Sequence, residues 1–514
     1  MRLCANSMSI GTNVIQWSKT KVRKSEKCCQ KNEKQKKNVV SGVISFFSLF
    51  FISSSFTMLL RVLVGIVLCV FVTYADVVDV SNVEELLGIF QNAQGNPVKE
   101  EISIKADLDF SELTSVLPLG IQSGSCAPYS GVFHGNGHSI KGLSMKNKER
   151  NDYNNAGLFC ELNHATIENL VFDSSCSFDG ITAGALAVNV TGSLTVNNVT
   201  NKAQVSGNTR VGGFVSFVSG LQQSDVVLFE SCMNEGNVTT DGWDIGGFIG
   251  LIHSNTNATF EFTNCRNIGT ISGSVSVGGF AGAFWVNNGT TIHVSNCIND
   301  GNVQAWGSDG RCGGLIGYYQ ENSHLIISKF INNGNISSQN RVGGVLGVFY
   351  ACLDAEIFIE NSLNYGPITG TNFTGGFIGY HTMGTKFNLT ISNCTNYGTV
   401  SSSSGCGGGF AGAITRHKQM NLSIVNCTNN GSVVNSFNTL GGFIGQFNSN
   451  QDSNVSFSGS INNGPLLTNE TQGYSFSGGF IGYIFNNNVV RVLFKECSNT
   501  ALVTGNTMVG GFFW

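Results

Sequence analysis

The chain has 514 residues, among them 65 Gly and 37 Phe, and only 12% are charged, about half the share usual in soluble proteins. So few Lys and Glu exclude helical repeats, whose surfaces need residues that lose little on entering a helix. The net charge of −4 hides two unlike parts: residues 1–75 carry 11 basic and 2 acidic side chains, residues 76–514 carry 17 and 30, a net of −13. An acidic body excludes nucleic acid and anionic membrane surfaces as partners.

In chain order, residues 1–57 read as a basic and apolar extension that the mature protein lacks. Residues 58–75 read as a signal peptide or membrane anchor. Met58-Leu-Leu-Arg61 supplies a basic start, Val62 to Val72 an apolar core, and Thr73-Tyr-Ala75 the small residues of a cleavage site. The expectation is translation from Met58 and cleavage after Ala75. The alternative keeps Met1 and anchors the chain through residues 39–75, a stretch long enough to span a bilayer, with its basic flank left in the cytoplasm. Both arrangements make the remainder secreted or cell-surface, with membrane contact only through this segment.

Residues 76–180 are expected to hold an N-terminal cap and the first coils. Ser81-Asn-Val-Glu84 predicts a capping box ahead of Leu86, Leu87, Ile89 and Phe90. The short amphipathic helix that follows would cover the open end of an array.

Residues 181–514 are tandem repeats. A Gly-Gly-aromatic-aliphatic-Gly box recurs at Gly212, Gly246, Gly278, Gly313, Gly343, Gly375, Gly408, Gly441, Gly478 and Gly510, at steps of 30 to 37 residues. An Asn-Cys-x-Asn-x-Gly-x-Val box keeps its second Asn at Asn201, Asn234, Asn267, Asn299, Asn332, Asn364, Asn396, Asn429, Asn462 and Asn499. A fixed period near 33 means a stacked array in which no unit buries a core alone. Alternating pairs such as Phe260 and Phe262, or Leu389 and Ile391, read as strand. The predicted fold is therefore all-β, a parallel β-helix (β-solenoid) of three short strands per coil. Parity slips between Ile391 and Cys394, which places a corner at Ser392-Asn393. Eleven or twelve coils would make a rod of roughly 55 Å at about 4.8 Å each.

Equivalent positions then stack as ladders. One is Phe214, Phe248, Phe280, Leu315, Val345, Phe377, Phe410, Phe443, Phe480 and Phe512. The Gly pairs suit corners where a side chain would collide or φ must be positive. The Asn ladder can pair its amides from coil to coil. Cys232, Cys265, Cys297, Cys394, Cys427 and Cys497 share one repeat position, where other copies have Phe330, Ser362 and Ser460. A small buried side chain is the expected role there, with bridging between neighbours as the alternative. Fourteen glycosylation sequons occur, at Asn189, Asn198, Asn237, Asn257, Asn288, Asn335, Asn372, Asn388, Asn393, Asn421, Asn426, Asn430, Asn454 and Asn469. With Asn this common, chance supplies around ten. The chain stops at Phe512-Phe513-Trp514, inside a repeat box, and the expectation is that further coils follow.

These boxes, together with Ser130-Gly-Val-Phe-His-Gly-Asn-Gly-His-Ser-Ile140, Ala156-Gly-Leu-Phe159 and Ile167-Glu-Asn-Leu170, resemble the GLUG-motif family of extracellular repeat proteins. Such repeats occur in bacterial immunoglobulin A peptidases and adhesin-like surface proteins. The resemblance covers residues from about 100 onward and implies a secreted or surface β-helix. It does not imply peptidase activity, since no peptidase domain is recognisable. His134 stands where the pattern more often has an acidic residue.

Three functions fit such a rod. The leading expectation is a non-enzymatic, rigid adhesive or interaction scaffold, its ligand a carbohydrate or surface protein. Trp243 in Asp241-Gly-Trp-Asp244 and Trp306 in Trp306-Gly-Ser-Asp309 are the candidate contacts, because aromatic faces beside carboxylates suit sugar rings. The alternatives are a carbohydrate-active lyase or hydrolase, which would need paired carboxylates from Asp241, Asp244 and Asp309, and a purely structural wall component that self-associates. No catalytic constellation, cofactor motif or metal-ligand spacing is found.

Overall fold

The computed structural model describes residues 77–513, apart from 152, 351, 436–438, 469–474 and 506. These lie in one compact unit, Ala75–Trp514. The signal or anchor segment, the extension before it and Asn469 fall outside the described residues. Among the described residues no helix is long and apolar enough to cross a membrane.

The unit is a parallel β-solenoid of about 12 turns. One coil shows the plan. A box strand, Ile245–Gly246, leads into a first wall strand, Ile249–His253, and a second, Thr259–Thr263. A spine strand, Arg266–Asn267, and a trough strand, Ile271–Gly273, complete the turn. The coil thus has five segments where the sequence pattern suggested three. The third expected strand breaks after the spine Asn, and the Gly box straddles a corner instead of lying within one strand. Stacked in parallel, these segments build a 23-stranded wall sheet, a 13-stranded spine sheet and two 11-stranded sheets.

The corner before the spine strand is the one that the parity slip located. Asn393 has φ +52°, and Asn198, Asn264, Asn296, Asn361 and Asn426 repeat this left-handed conformation within a few degrees. Asn is the non-glycine residue that tolerates it best. The Gly pairs of the box have another reason to exist. Their φ values are not positive, but a Cβ on Gly247 would sit 2.2 Å from the Gly279 carbonyl oxygen and 2.7 Å from Asn267 Oδ1. Close approach of the next coil's box carbonyl, and of the spine Asn, excludes a side chain there.

Inside, Phe214, Phe248 and Phe280 stack face to face with centroids 4.9 and 4.7 Å apart, and Phe377, Phe410, Phe443 and Phe480 do the same at 4.7 to 4.8 Å. Burying each ring stabilises the rod by roughly 1.5–3 kcal/mol. Where the ladder shrinks to Leu315 and Val345, the cysteine position grows to Phe330, whose ring lies 6.0 Å from Phe280. Volume lost at one position is restored at its neighbour.

The Asn ladder is continuous, and buried from Asn201 to Asn462. Each Nδ2 donates to the next Oδ1, from Asn201 to Asn234 at 2.9 Å, through Asn332 to Asn364 at 2.7 Å, to Asn462 to Asn499 at 2.8 Å. The second N–H of most members reaches a glycine carbonyl two residues on, as Asn234 does to Gly236 at 3.0 Å. The ladder cysteines are free. Cys232 Sγ donates to the Glu230 carbonyl at 3.3 Å, and Ser362 and Ser460 hydroxyls do the same to Glu360 and Ser458 at 2.8 and 3.1 Å. The position selects a small donor for the corner carbonyl, which is why Ser and Cys interchange there.

At the N-terminal end α1, Val83–Asn92, buries Val83, Leu86 and Phe90 on the first coils. Its cap is Asn82, one residue later than Ser81. Asn82 Oδ1 accepts the Glu85 N–H at 2.9 Å, and Glu85 reaches back to the Ser81 N–H at 2.7 Å. The box is therefore Asn82 with Glu85, because a helix starting at Val83 turns its apolar stripe inward. Nearby, a disulfide joins Cys126 of a small hairpin to Cys160 of a wall strand.

Candidate functional site

The five candidate contact residues lie in the turn between trough strand and box strand, two coils apart, and face different ways. Asp241 and Trp306 line an open trough of about 400 Å³ with Lys148, Asp179, Thr239 and Ser272. Trp243 is 64% exposed at the corner, and its carbonyl accepts the Arg210 N–H at 2.9 Å. Asp244 and Asp309 belong instead to the box-strand side. Asp309 takes Arg311 Nη2 on one oxygen and Arg341 Nη1 on the other, each at 2.5 Å. Burial would raise its pKa, but these guanidiniums outweigh that and hold it below the usual carboxylate range. Asp244, at φ +59°, is half-buried. Burial pushes its carboxyl up to about 6 against the pull of the Ser276 hydroxyl, Arg210 and Arg311. The three carboxylates proposed as a catalytic set thus do not share one site.

A column of arginines, which the repeat reading overlooked, organises this side. Arg210, Arg311 and Arg341 each stand two residues ahead of a Gly pair. Strand register aligns Arg210, Asp244, Ser276, Arg311 and Arg341 on successive coils. The adjacent outward column of the first wall strand runs Phe217, Leu251, Ala283, Tyr318. Arg210 lies 4.7 Å over the Phe217 ring and Arg311 4.4 Å over Tyr318, while Arg341 is 5.6 Å from Tyr380. Leu251 and Ala283, in the same column, are 2% and 1% exposed.

Trp285 stands at the rim, 43% exposed, with His253 edge-on at 5.6 Å. It belongs to a 15-residue strand, Ala281–Ser295, that runs through the corner where other coils turn. A register shift follows Trp285, and Val286 takes φ +57°, a strained conformation for a β-branched residue. The signal available in the sequence was the Arg two residues before Gly-Gly; nothing local marked Trp285.

Around the second wall strands, His324, Asp354, Glu356, Lys386, Asn388, Gln419 and Asn421 line a second open cavity of about 500 Å³. Its sequons are stacked: Asn421 Nδ2 donates to Asn388 and Asn454 Nδ2 to Asn421, both at 3.0 Å. Asn189, Asn372 and Asn388 are half-buried; Asn198, Asn237, Asn257, Asn288, Asn335, Asn393, Asn421, Asn426, Asn430 and Asn454 are exposed. Among the described residues no three His, Cys, Asp or Glu side chains gather as a metal cage.

Fold and side wall together define a parallel β-solenoid whose outer surface is a set of columns at one-coil spacing. No family model matches the chain. Over 104 residues it is 35% identical to halomucin of Haloquadratum walsbyi, a stretch that takes in 20% of this chain and 1% of halomucin. A solved structure from Bacteroides ovatus, provisionally named an immunoglobulin A1 protease, aligns at 16% identity and a TM-score of 0.30. That alignment spans 62% of this chain and 74% of the other.

Proposed function

We propose that this chain is a non-enzymatic, extracellular repeat scaffold of the GLUG type, whose rigid side wall binds a carbohydrate or surface partner. The observation that carries the reading is the column geometry. Each outward position recurs once per coil on a backbone pinned by the buried Asn and Phe ladders, so the wall is a preorganised binding surface. The disulfide Cys126–Cys160 supports an oxidising compartment. The free ladder thiols fit the same setting, because burial raises the pKa of Cys232, Cys265 and Cys394 and suppresses the reactive thiolate.

One observation favours a second reading, a glycoside-cleaving enzyme: a carboxyl raised to about 6, as at Asp244, is suited to general-acid work. Against it, Asp309 is held ionised between two guanidiniums and Asp241 faces the trough. The test is product release from a panel of polysaccharides by the native protein and by the triple variant Asp241→Asn, Asp244→Asn, Asp309→Asn. The scaffold reading expects no product from either. Turnover by the native protein that the triple variant loses would overturn it.

A further inference from the structure

We propose that the wall between Arg210 and Arg311 binds an acidic oligosaccharide, one bearing uronic-acid carboxylates, laid along the rod with a sugar ring on Trp285. The inference rests on the scaffold reading and names its ligand class.

Residues 76–514 contain seven arginines, and three of them share the box-strand column. With Asp244 in the column and Asp309 between Arg311 and Arg341, three positive and two negative charges leave this column a net of +1 in a body of net charge −13. Arg210 is exposed, and among the described residues its guanidinium has no salt bridge or side-chain hydrogen bond. Its guanidinium carbon lies 4.7 Å from the centre of the Phe217 ring. An exposed guanidinium with no salt-bridge partner offers its N–H fork to a carboxylate. Arg311 lies over Tyr318 in the same way and gives Nη2 to Asp309.

Arg210 and Arg311 are three coil steps apart in register, about 14 Å at the pitch of a parallel solenoid. That separation suits repeated carboxylates on a chain running along the axis, and exceeds what one small anion could bridge. On the two intervening coils, two residues further along the wall strand than Leu251 and Ala283, stand His253 and Trp285. The Trp285 face, 43% exposed, offers a pyranose ring an apolar contact beside the buried Leu251 and Ala283. Half-buried Asp244, beside both arginines, can accept from a sugar hydroxyl or, near pH 6, donate to a carboxylate.

The experiment is calorimetric titration of the purified protein with oligogalacturonate, and with a neutral glucan oligomer of equal length. The expected result is salt-sensitive binding of the acidic oligomer alone. Loss of one charge-assisted contact in Arg210→Gln, or of the ring in Trp285→Ala, should weaken it about tenfold. Arg266→Gln, on the spine face, should leave it unchanged. Thermal unfolding of each variant checks that the coils persist. Equal affinity for the neutral oligomer or for single-stranded DNA, or an Arg210→Gln variant that binds as the native protein does, would overturn the proposal. So would binding of other glycans alone, which leaves the scaffold reading standing. Cleavage of the acidic oligomer that ceases in Asp244→Asn would instead overturn the scaffold reading.

Discussion

Replacing Asn332 by Ala removes the middle of the amide spine. Its Oδ1 accepts from Asn299 at 2.8 Å, and its Nδ2 donates to Asn364 at 2.7 Å and to the Gly334 carbonyl at 3.1 Å. Asn299, Asn332 and Asn364 are all 0% exposed, so no water replaces the lost partners. Three hydrogen bonds at about 1–1.5 kcal/mol each, with a buried amide and carbonyl left unsatisfied, give an expected cost of about 3–5 kcal/mol. The comparison is Asn463→Ala. Asn463 also bonds one coil back, to Asn430 at 3.0 Å, but on the exposed surface, where the cost should stay within about 0.5 kcal/mol. Equilibrium urea unfolding followed by circular dichroism measures both. Pulse proteolysis should place new cuts in the coils around residue 332, because each coil contacts only its neighbours. An Asn332→Ala variant within about 1 kcal/mol of native, or one no worse than Asn463→Ala, would refute the claim that the ladder holds the coils together.

Three further outcomes concern the core histidines, the thiols and the disulfide. His381 and His417 lie in the core with ring centroids 4.0 Å apart, and neither His381 nitrogen has a hydrogen-bond partner. Burial lowers both pKa values, that of His417 to about 4. The unfolded chain therefore binds more protons below pH 6.5, and stability should fall as pH drops from there toward 4, by about 3 kcal/mol for His417 alone. Asp244 and His134, whose pKa values are raised, push the other way. The readout is thus the difference between native protein and His381→Phe in urea midpoints at pH 5 and pH 8; an identical pH response in both would contradict the assignment. For the thiols, alkylation of the folded protein should reach half-buried Cys497 before the buried ladder cysteines. Opening Cys126–Cys160, a separation of 34 residues, by Cys160→Ser should cost about 3–4 kcal/mol, seen as faster hydrogen exchange in α1 and the first coils.

The array was legible because every coil obeys the same packing rule. Asn332 and Phe410 sit where the repeat puts them, and the Asn393 corner shows as a slip in parity. Less was legible wherever a residue answers to a neighbouring coil. Gly247 reads as a turn glycine, yet what excludes its side chain is first the Gly279 carbonyl of the next coil and then Asn267, a residue of a different box. Capping moved from Ser81 to Asn82 because burial of Leu86 and Phe90 sets the helix phase. The Arg column was visible in principle at a fixed offset from Gly212, Gly313 and Gly343. It escaped because the shared Gly and Phe dominate the alignment of copies. Trp285 depends on a strand that skips its corner, and His381 on standing in a core column beside Phe349, neither of which has a local signature.

Amide hydrogen exchange, with and without oligogalacturonate, tests the central claim most directly: a wall held rigid by a buried spine and used for binding. The account predicts uniformly slow exchange along the spine strands from Thr200–Asn201 to Ile461–Asn462. Added ligand should slow exchange only on the wall around Arg210, Trp285 and Arg311. Fast exchange in the central spine strands of the free protein, or protection by ligand spread evenly over the rod, would contradict it.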